Sequence, residues 1–369
     1  MKRALKLIAK LVGWILLAIL IYVAGVLIYG TMTDWQPEKT IKLETAQTAS
    51  EKVIKDSILT FTTWNIGYGG LGAKSNFFFD NGDQMFSNGR MIRSPKEYVD
   101  EYVAGAEQFV STTKSDFFLL QETDFDSKRS YHINEFDRLR NKLPNYSAAF
   151  AANYKNERVP LPIAEPWHVY GQVLSGLTSL SRFQPEESIR YQLPGKFEWP
   201  TRLFQLDRCV MKQTYSVANG KKMVVFNVHN SAYDKGGKLK KQQIEFLKGM
   251  FSEEYEKGNY VVVGGDWNQV PPNFAFDRFM PGKTEGYTQI SIEADAMPED
   301  WTWVYDPTTP TNRKSRDIYT KNKTFETLID FFLISPNIKV KAVKGLPQAF
   351  RFSDHQPVWM EVELEGLQN

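Results

Sequence analysis

Cysteine is nearly absent from this sequence. Cys209 is the only one in 369 residues, so no intrachain disulfide forms and the fold does not depend on an oxidising compartment. Its neighbours Arg208 and Val210 give it the look of a buried strand residue, not a nucleophile. An excess of one charge is missing as well. Forty-five Lys and Arg against 43 Asp and Glu leave a net charge of +2, which provides little non-specific pull toward nucleic acid. Only a local basic cleft would supply that pull. No Gly-x-Ser-x-Gly occurs, which removes the nucleophile elbow of a serine hydrolase. No glycine loop leads into Gly-Lys-Ser/Thr, which removes a Walker-type nucleotide site. Repeats and low-complexity tracts are lacking too. What remains is a chain with 42% hydrophobic, 24% charged and 14% aromatic residues. That is an ordinary globular composition with an aromatic-rich core.

The N-terminus departs from it. Leu11 to Thr33 carries no charge, and Lys2, Arg3, Lys6 and Lys10 precede it. A spanning helix needs about 20 apolar residues, and basic flanks stay cytoplasmic. A cleaved signal peptide is the competing reading. The length of the run, and the lack of a small-x-small site after Tyr29, favour an uncleaved anchor. Residues 1–33 are thus expected to be a cytoplasmic tail and transmembrane anchor, with the rest of the chain extracytoplasmic. Residues 34–56, polar and mixed, are expected to be a linker, and residues 57–369 a single domain.

Within that domain strands outnumber helices. Ile58–Ile66, Asp116–Gln121, Val173–Leu180, Cys209–Val217, Met223–Val228, Tyr260–Val263, Thr327–Ile334 and Pro357–Leu364 read as strands. Asn219-Gly220 marks a hairpin. Ser94-Pro95 opens a helix to about Ser111, Asn134–Leu143 is a second and Lys238–Tyr255 a third. The expected class is α+β, two packed sheets with helices outside.

Polar residues gather at the C-terminal ends of apolar strands: Trp64-Asn65-Ile66-Gly67-Tyr68-Gly69, Leu119-Leu120-Gln121-Glu122, Asn227-Val228-His229-Asn230 and Gly264-Gly265-Asp266-Trp267-Asn268. Taken singly, each fragment is weak, because Asn or Asp after a strand is most often a turn residue. Asp330 is harder to dismiss. It sits inside the apolar run Leu328–Ile334, where a carboxylate must be paired or metal-bound. The loop Ser353-Asp354-His355-Gln356-Pro357 completes the set.

In this order the fragments resemble the endonuclease/exonuclease/phosphatase superfamily over about Ile58 to Leu364, and Leu180-Ser181-Arg182-Phe183 looks like a structural stretch of that family. The resemblance implies a four-layer α/β/β/α sandwich and metal-assisted, in-line attack of water on a phosphate ester, with Mg²⁺ or Mn²⁺ on hard oxygen ligands. It assigns Glu122, with Asn65 and Asp354, to the metal. His355 would be the general base or would orient the water, with Asp330 holding its other nitrogen. His229 would bind phosphate or protonate the leaving group. Asp266 would lie beside the water or a second metal, and Asn268 would donate to the phosphoryl oxygen. Arg208, Arg129 and Tyr131 are candidate substrate contacts. His132 and His168 fit no motif and are expected to be structural or on the surface.

The expected partners are a phosphate-ester substrate (nucleic acid, phospholipid head group or small phosphate) and the bilayer. Nothing in the sequence points to a protein partner. The contrasting reading is a catalytically inactive, membrane-tethered binding module of the same fold. The filled acidic, amide and histidine positions speak against it. Lys74–Arg93, with Phe77-Phe78-Phe79, reads as a packed insertion, a cover over the substrate or a lipid contact. Tyr154–Tyr170 reads as a wall of the cleft.

Overall fold

The structure, a computed structural model, describes residues 1–80, 82–232, 234, 236–284 and 290–367. A helix, α1 (Lys2–Met32), precedes two mixed sheets packed face to face. At about 1.5 Å per residue, its 31 residues exceed the hydrocarbon thickness of a bilayer. None of its most apolar stretch is covered by protein.

The first sheet runs in the order Thr40–Lys42, Glu187–Gln192, Cys209–Val217, Lys222–His229, Tyr260–Asp266, Asp330–Ile334, Thr302–Val304, with Val53–Ile54 added on Cys209–Val217. The second runs Ile338–Gly345, Val358–Leu364, Ile58–Asn65, Phe117–Asp124, Gly171–Ser181, Ser147–Val159, Thr45–Gln47. Between them lies an apolar layer including Leu59, Phe61, Phe117, Val225, Val262, Phe332 and Met360. Helices α2 (Lys96–Thr112) and α3 (Glu135–Arg140) belong with the outer face of the second sheet, where α2 contributes Ala106 and Val110 to a cluster with Trp64 and Phe118. Helix α4 (Lys238–Glu256) covers the first sheet through Leu247 and Phe251. The four-layer sandwich expected from the sequence is the one found.

Three local expectations are corrected. Residues 34–56 are not a free spacer: Thr40–Lys42, Thr45–Gln47 and Val53–Ile54 add strands to both sheets, and Ile54 is fully buried in the core. Ser94 does not cap α2. Its hydroxyl donates to Gly70 O (2.6 Å) and lies 2.7 Å from Ser75 Oγ, and Pro95 occupies the cap position. The expected strand Thr327–Ile334 divides: Glu326–Thr327 pairs with Asn312–Arg313, whereas Asp330–Ile334 joins the first sheet.

Register then places the chemistry. His229 lies opposite Asp266 on a parallel neighbour, and Asp266 opposite Asp330 on an antiparallel one. The first of these pairings demands Gly265, since a Cβ there would stand 2.0 Å from Val228 O. In the second sheet Asn65 lies opposite Gln121. The register of Phe117–Asp124 shifts between Leu120 and Thr123, and Glu122 in this bulge has φ 52°. Bulges re-aim side chains next to active sites, and a non-glycine residue in this region costs about 1–3 kcal/mol.

Candidate active site

The two sheets are locked together at this end by amides. Gln121 Nε2 donates to Asn227 Oδ1 (2.8 Å), and Asn227 Nδ2 donates to Thr178 O (3.0 Å). Indoles brace the loops: Trp64 Nε1 donates to His355 O and Trp267 Nε1 to Phe331 O, both at 3.0 Å. Ser353 Oγ donates to Asn65 O (2.7 Å) and accepts from His355 N (3.1 Å). These bonds join the six motif fragments in three pairs: the Asn65 strand end with the His355 loop, the Glu122 strand end with the His229 strand end, and the Asp266 strand end with the Asp330 strand.

On this frame the carboxylates, amides and imidazoles converge. Asp330 Oδ2 stands 2.8 Å from His355 Nδ1, and both residues are buried. Burial alone would lower the imidazole pKa, but Asp330 and then Asp266 outweigh it and push it up to about 10. The other ring nitrogen, Nε2, lies 3.0 Å from the Asn312 amide. That amide offers a hydrogen bond with either of its ends. Asp266 Oδ2 accepts from Asn65 Nδ2 (3.0 Å) and lies 3.4 Å from His229 Nε2 and 3.8 Å from His355 Nε2. Its Oδ1 accepts from Asn268 N (2.8 Å). Asn65 Nδ2 reaches Glu122 Oε1 (3.2 Å), which is 3.8 Å from His229 Nε2. Burial, reinforced by Arg208 and His355, holds His229 well below its usual range, so its ring is neutral. Burial raises the Asp354 carboxyl to about 7, against the pull of His355.

The ion-pair contacts of Glu122, Asp266 and Asp330 are with the two imidazoles, while Lys240 and Arg313 act electrostatically on Asp266 and Asp354. Four carboxylates gathered this closely suit a hard divalent ion. Oxygens of Asp266 and Asp330 and a nitrogen of His355 lie within 4.8 Å of one another. Asp330 and His355 already share a proton, however. Glu122, half-exposed where the others are buried, is the open donor beside Asp266 and Asn65.

The structure brings Asn65, Glu122, His229, Asp266, Asn268, Asp330, Asp354 and His355 into one site. It keeps two expected contacts out. Arg129, 5% exposed, is held by Asp124 (2.7 Å) and Tyr170 Oη (2.7 Å), with its guanidinium 3.7 Å over the Tyr68 ring. Tyr131 donates its hydroxyl to Ser94 O. A buried charge must take its partners locally, and Arg129 does so five residues from Asp124. Arg208 lines the neighbouring cleft and acts electrostatically on His229. His132 is exposed and pairs with Asp126.

Two residues escaped the sequence reading. Asn312 sits in a turn-like stretch with no signal. Asn230 was visible beside His229, and its side-chain amide is buried with no hydrogen-bond partner at either end among the described residues.

A search of the curated proteins finds no match. Among solved structures, an endonuclease/exonuclease/phosphatase from Beutenbergia cavernae is similar over 84% of this chain and 72% of that one, with 18% identity and a TM-score of 0.55. ANGEL2, a 2′,3′-cyclic phosphatase solved with adenosine-2′,3′-vanadate, is similar over 89% and 100%, with 15% identity and a TM-score of 0.52. An endonuclease/exonuclease/phosphatase family protein from Leptotrichia buccalis is similar over 83% and 100%, with 13% identity and a TM-score of 0.50. At such identities these likenesses establish the fold. The sequence profile of the Endonuclease/Exonuclease/phosphatase family matches residues 62–355, from the Asn65 strand through His355, and the chain belongs to that family of phosphoester hydrolases.

Proposed function

We propose that the chain is a divalent-metal-dependent phosphoester hydrolase tethered to a membrane by α1. The observation that carries this reading is the buried Asp330–His355 pair facing Asp266, in a cluster that also gathers the Glu122 and Asp354 carboxylates. Glu122 and Asp354 would hold the metal, with the Asn65 amide steadying Glu122 and Asp266. Bound there, Mg²⁺ or Mn²⁺ supplies charge neutralisation on the phosphoryl oxygens and activation of water.

The remaining duties fall to the chain itself. His355, raised by its acidic neighbours, keeps its proton at neutral pH and points a positive N–H at a phosphoryl oxygen. The task of taking the proton from water then falls to Asp266. Asp330 fixes the ring. Neutral His229 donates an N–H to the phosphate, and Asn268 supplies a second donor. Arg129 and Tyr131 have no part in it.

The four basic residues before Leu11 support an orientation with the N-terminus in the cytoplasm and the catalytic part outside. Because the strands from residues 40–54 belong to the sheets, the catalytic unit begins near residue 34, not at 57.

The test is turnover of phosphate mono- and diesters by the full chain in detergent, with Mg²⁺, Mn²⁺ or chelator, and in Glu122→Ala and His355→Ala. Metal-dependent turnover lost in both variants supports the reading. Equal rates in wild type and variants refute the site. A periplasmic-side reporter fused at the C-terminus that stays silent refutes the orientation.

A further inference from the structure

The last turn of α1 is built onto the catalytic unit. Gly30 is buried against Phe204, where a Cβ would come within 3.2 Å of the ring. Trp199 Nε1 donates to Thr31 Oγ1 (3.3 Å), and Arg202 lies 3.7 Å from Asp34. No spacer therefore separates the end of the helix from the segment 199–204. One face of the catalytic unit is held at the surface of whatever bilayer the helix spans.

That face carries unusual apolar exposure. Trp167 is 82% and Trp199 52% exposed, and Met85 and Phe86 are also open. The loops bearing them share one satellite core, in which Phe204 packs with Phe77, Phe78, Tyr154 and Ile163. They are tied to one another as well. Ala164 N donates to Met85 O (3.0 Å), and Asn156 Nδ2 donates to Leu203 O. Exposed rings beside a membrane anchor match the interfacial preference of tryptophan.

A small cleft opens on this side, lined by Asp34 and Trp35, directly after the anchor, and by Arg208 and Ser231. Ser231 adjoins His229-Asn230, whose buried Asn230 amide has no hydrogen-bond partner among the described residues, and Arg208 acts on His229 electrostatically. The cleft thus joins the end of the anchor to residues that border His229.

We propose that this face docks on the bilayer and that the site takes a phosphate ester carried by a lipid of the same membrane. The substrate's phosphate enters the site beside His229 and Asp266 while its acyl part stays in the leaflet. Hydrolysis forms a bond from water oxygen to phosphorus and breaks one P–O ester bond; the departing oxygen takes up a proton and leaves as an alcohol. This inference rests on the hydrolase reading and on α1 being an uncleaved anchor.

Because Cys209 is fully buried, single reactive cysteines can be introduced cleanly. The full chain is reconstituted in phosphatidylcholine–phosphatidylglycerol vesicles containing nitroxide lipid, with a fluorophore at Leu16→Cys, Trp167→Cys, Trp199→Cys or Lys341→Cys. Lys341 is on Ile338–Gly345, the edge strand opposite Thr45–Gln47. Quenching at 16, 167 and 199 but not at 341 is expected. Quenching at 16 alone overturns the docking; no quenching at 16 overturns the anchor and the inference with it.

A second arm compares turnover of vesicle phosphatidylcholine, phosphatidylglycerol, phosphatidylethanolamine and phosphatidic acid with that of water-soluble glycerophosphodiesters and p-nitrophenyl phosphate. In Trp167→Asp/Trp199→Asp the ratio of lipid to soluble turnover is expected to fall about tenfold, the weight of interfacial aromatics. Glu122-dependent turnover of soluble esters with none of the lipids overturns the lipid substrate while leaving the hydrolase standing. No turnover of either overturns both.

Discussion

Two clusters of buried charge grow from the same strand, one around Glu122 and one around Asp124, two residues on. In the second, every main charge is answered. Asp124 takes two hydrogen bonds from Arg129 Nε and one from Nη2, Tyr170 caps Nη1, and Tyr68 lies under the guanidinium. Glu135 accepts from Asp124 N (2.8 Å), and burial and Asp124 keep its carboxyl well above the usual range, hence protonated. In the first, carboxylates face one another across imidazoles and an amide. A buried charge paired within its own cluster holds a fold together; carboxylates crowded side by side are poised to receive positive charge from outside.

The contrast breaks most visibly in turnover. Glu122→Gln and His355→Ala are expected to lower metal-dependent hydrolysis by about 10²–10⁴-fold. Initial rates on a soluble phosphate ester decide this, and a loss below tenfold would put the chemistry elsewhere. Arg129→Ala strikes the other cluster and leaves Asp124 buried without its partner. The expected cost is about 3–5 kcal/mol of stability, read from chemical denaturation in detergent. A change under about 1 kcal/mol would show that the Asp124 cluster is not structural.

Cation binding separates the clusters more finely. Mg²⁺ at a hundred times its Kd should add about 2.7 kcal/mol to stability in wild type and in Glu135→Gln, and nothing in Glu122→Ala. Equal gains in all three would place the ion outside the Glu122 cluster. The smallest effect concerns pH. Since the folded Glu135 carboxyl is raised, its protonated form is the one compatible with folding. Its contribution is complete below the unfolded value of about 4.5 and is lost as pH rises through the folded one. Glu135→Gln keeps the shape without the titration. Unfolding free energies of wild type and variant should therefore agree within about 1 kcal/mol at acidic pH and diverge in favour of the variant at alkaline pH. Parallel curves would contradict the buried, protonated Glu135.

Legibility differed between the parts. Strands such as Tyr260–Asp266 and Asp330–Ile334, apolar on both faces because sheet, helix and sheet enclose them, stood out as short buried runs. Ser147–Val159, with four alanines and two asparagines in 13 residues, gave no such sign. It is a strand because Gly171–Ser181 and Thr45–Gln47 pair with it. The short strands of residues 40–54 are similar cases. Only two or three residues long, they show no alternating run to read, and their backbone groups are recruited by sheet edges that already exist.

For the site, local sequence determined which residue types stand where. It placed carboxylates, amides and imidazoles at strand ends, a carboxylate in an apolar run that demanded a partner, and an uncharged stretch long enough to cross a bilayer. Tertiary structure alone decided the pairings, because they join residues far apart in the chain. His355 meets Asp330 25 residues away, and Asn65 meets Asp266 201 residues away. It also turned Arg129 toward Asp124, drew Asn312 to the His355 ring and seated Gly30 against Phe204. Each depends on shape and burial in three dimensions, which no run of neighbouring residues encodes.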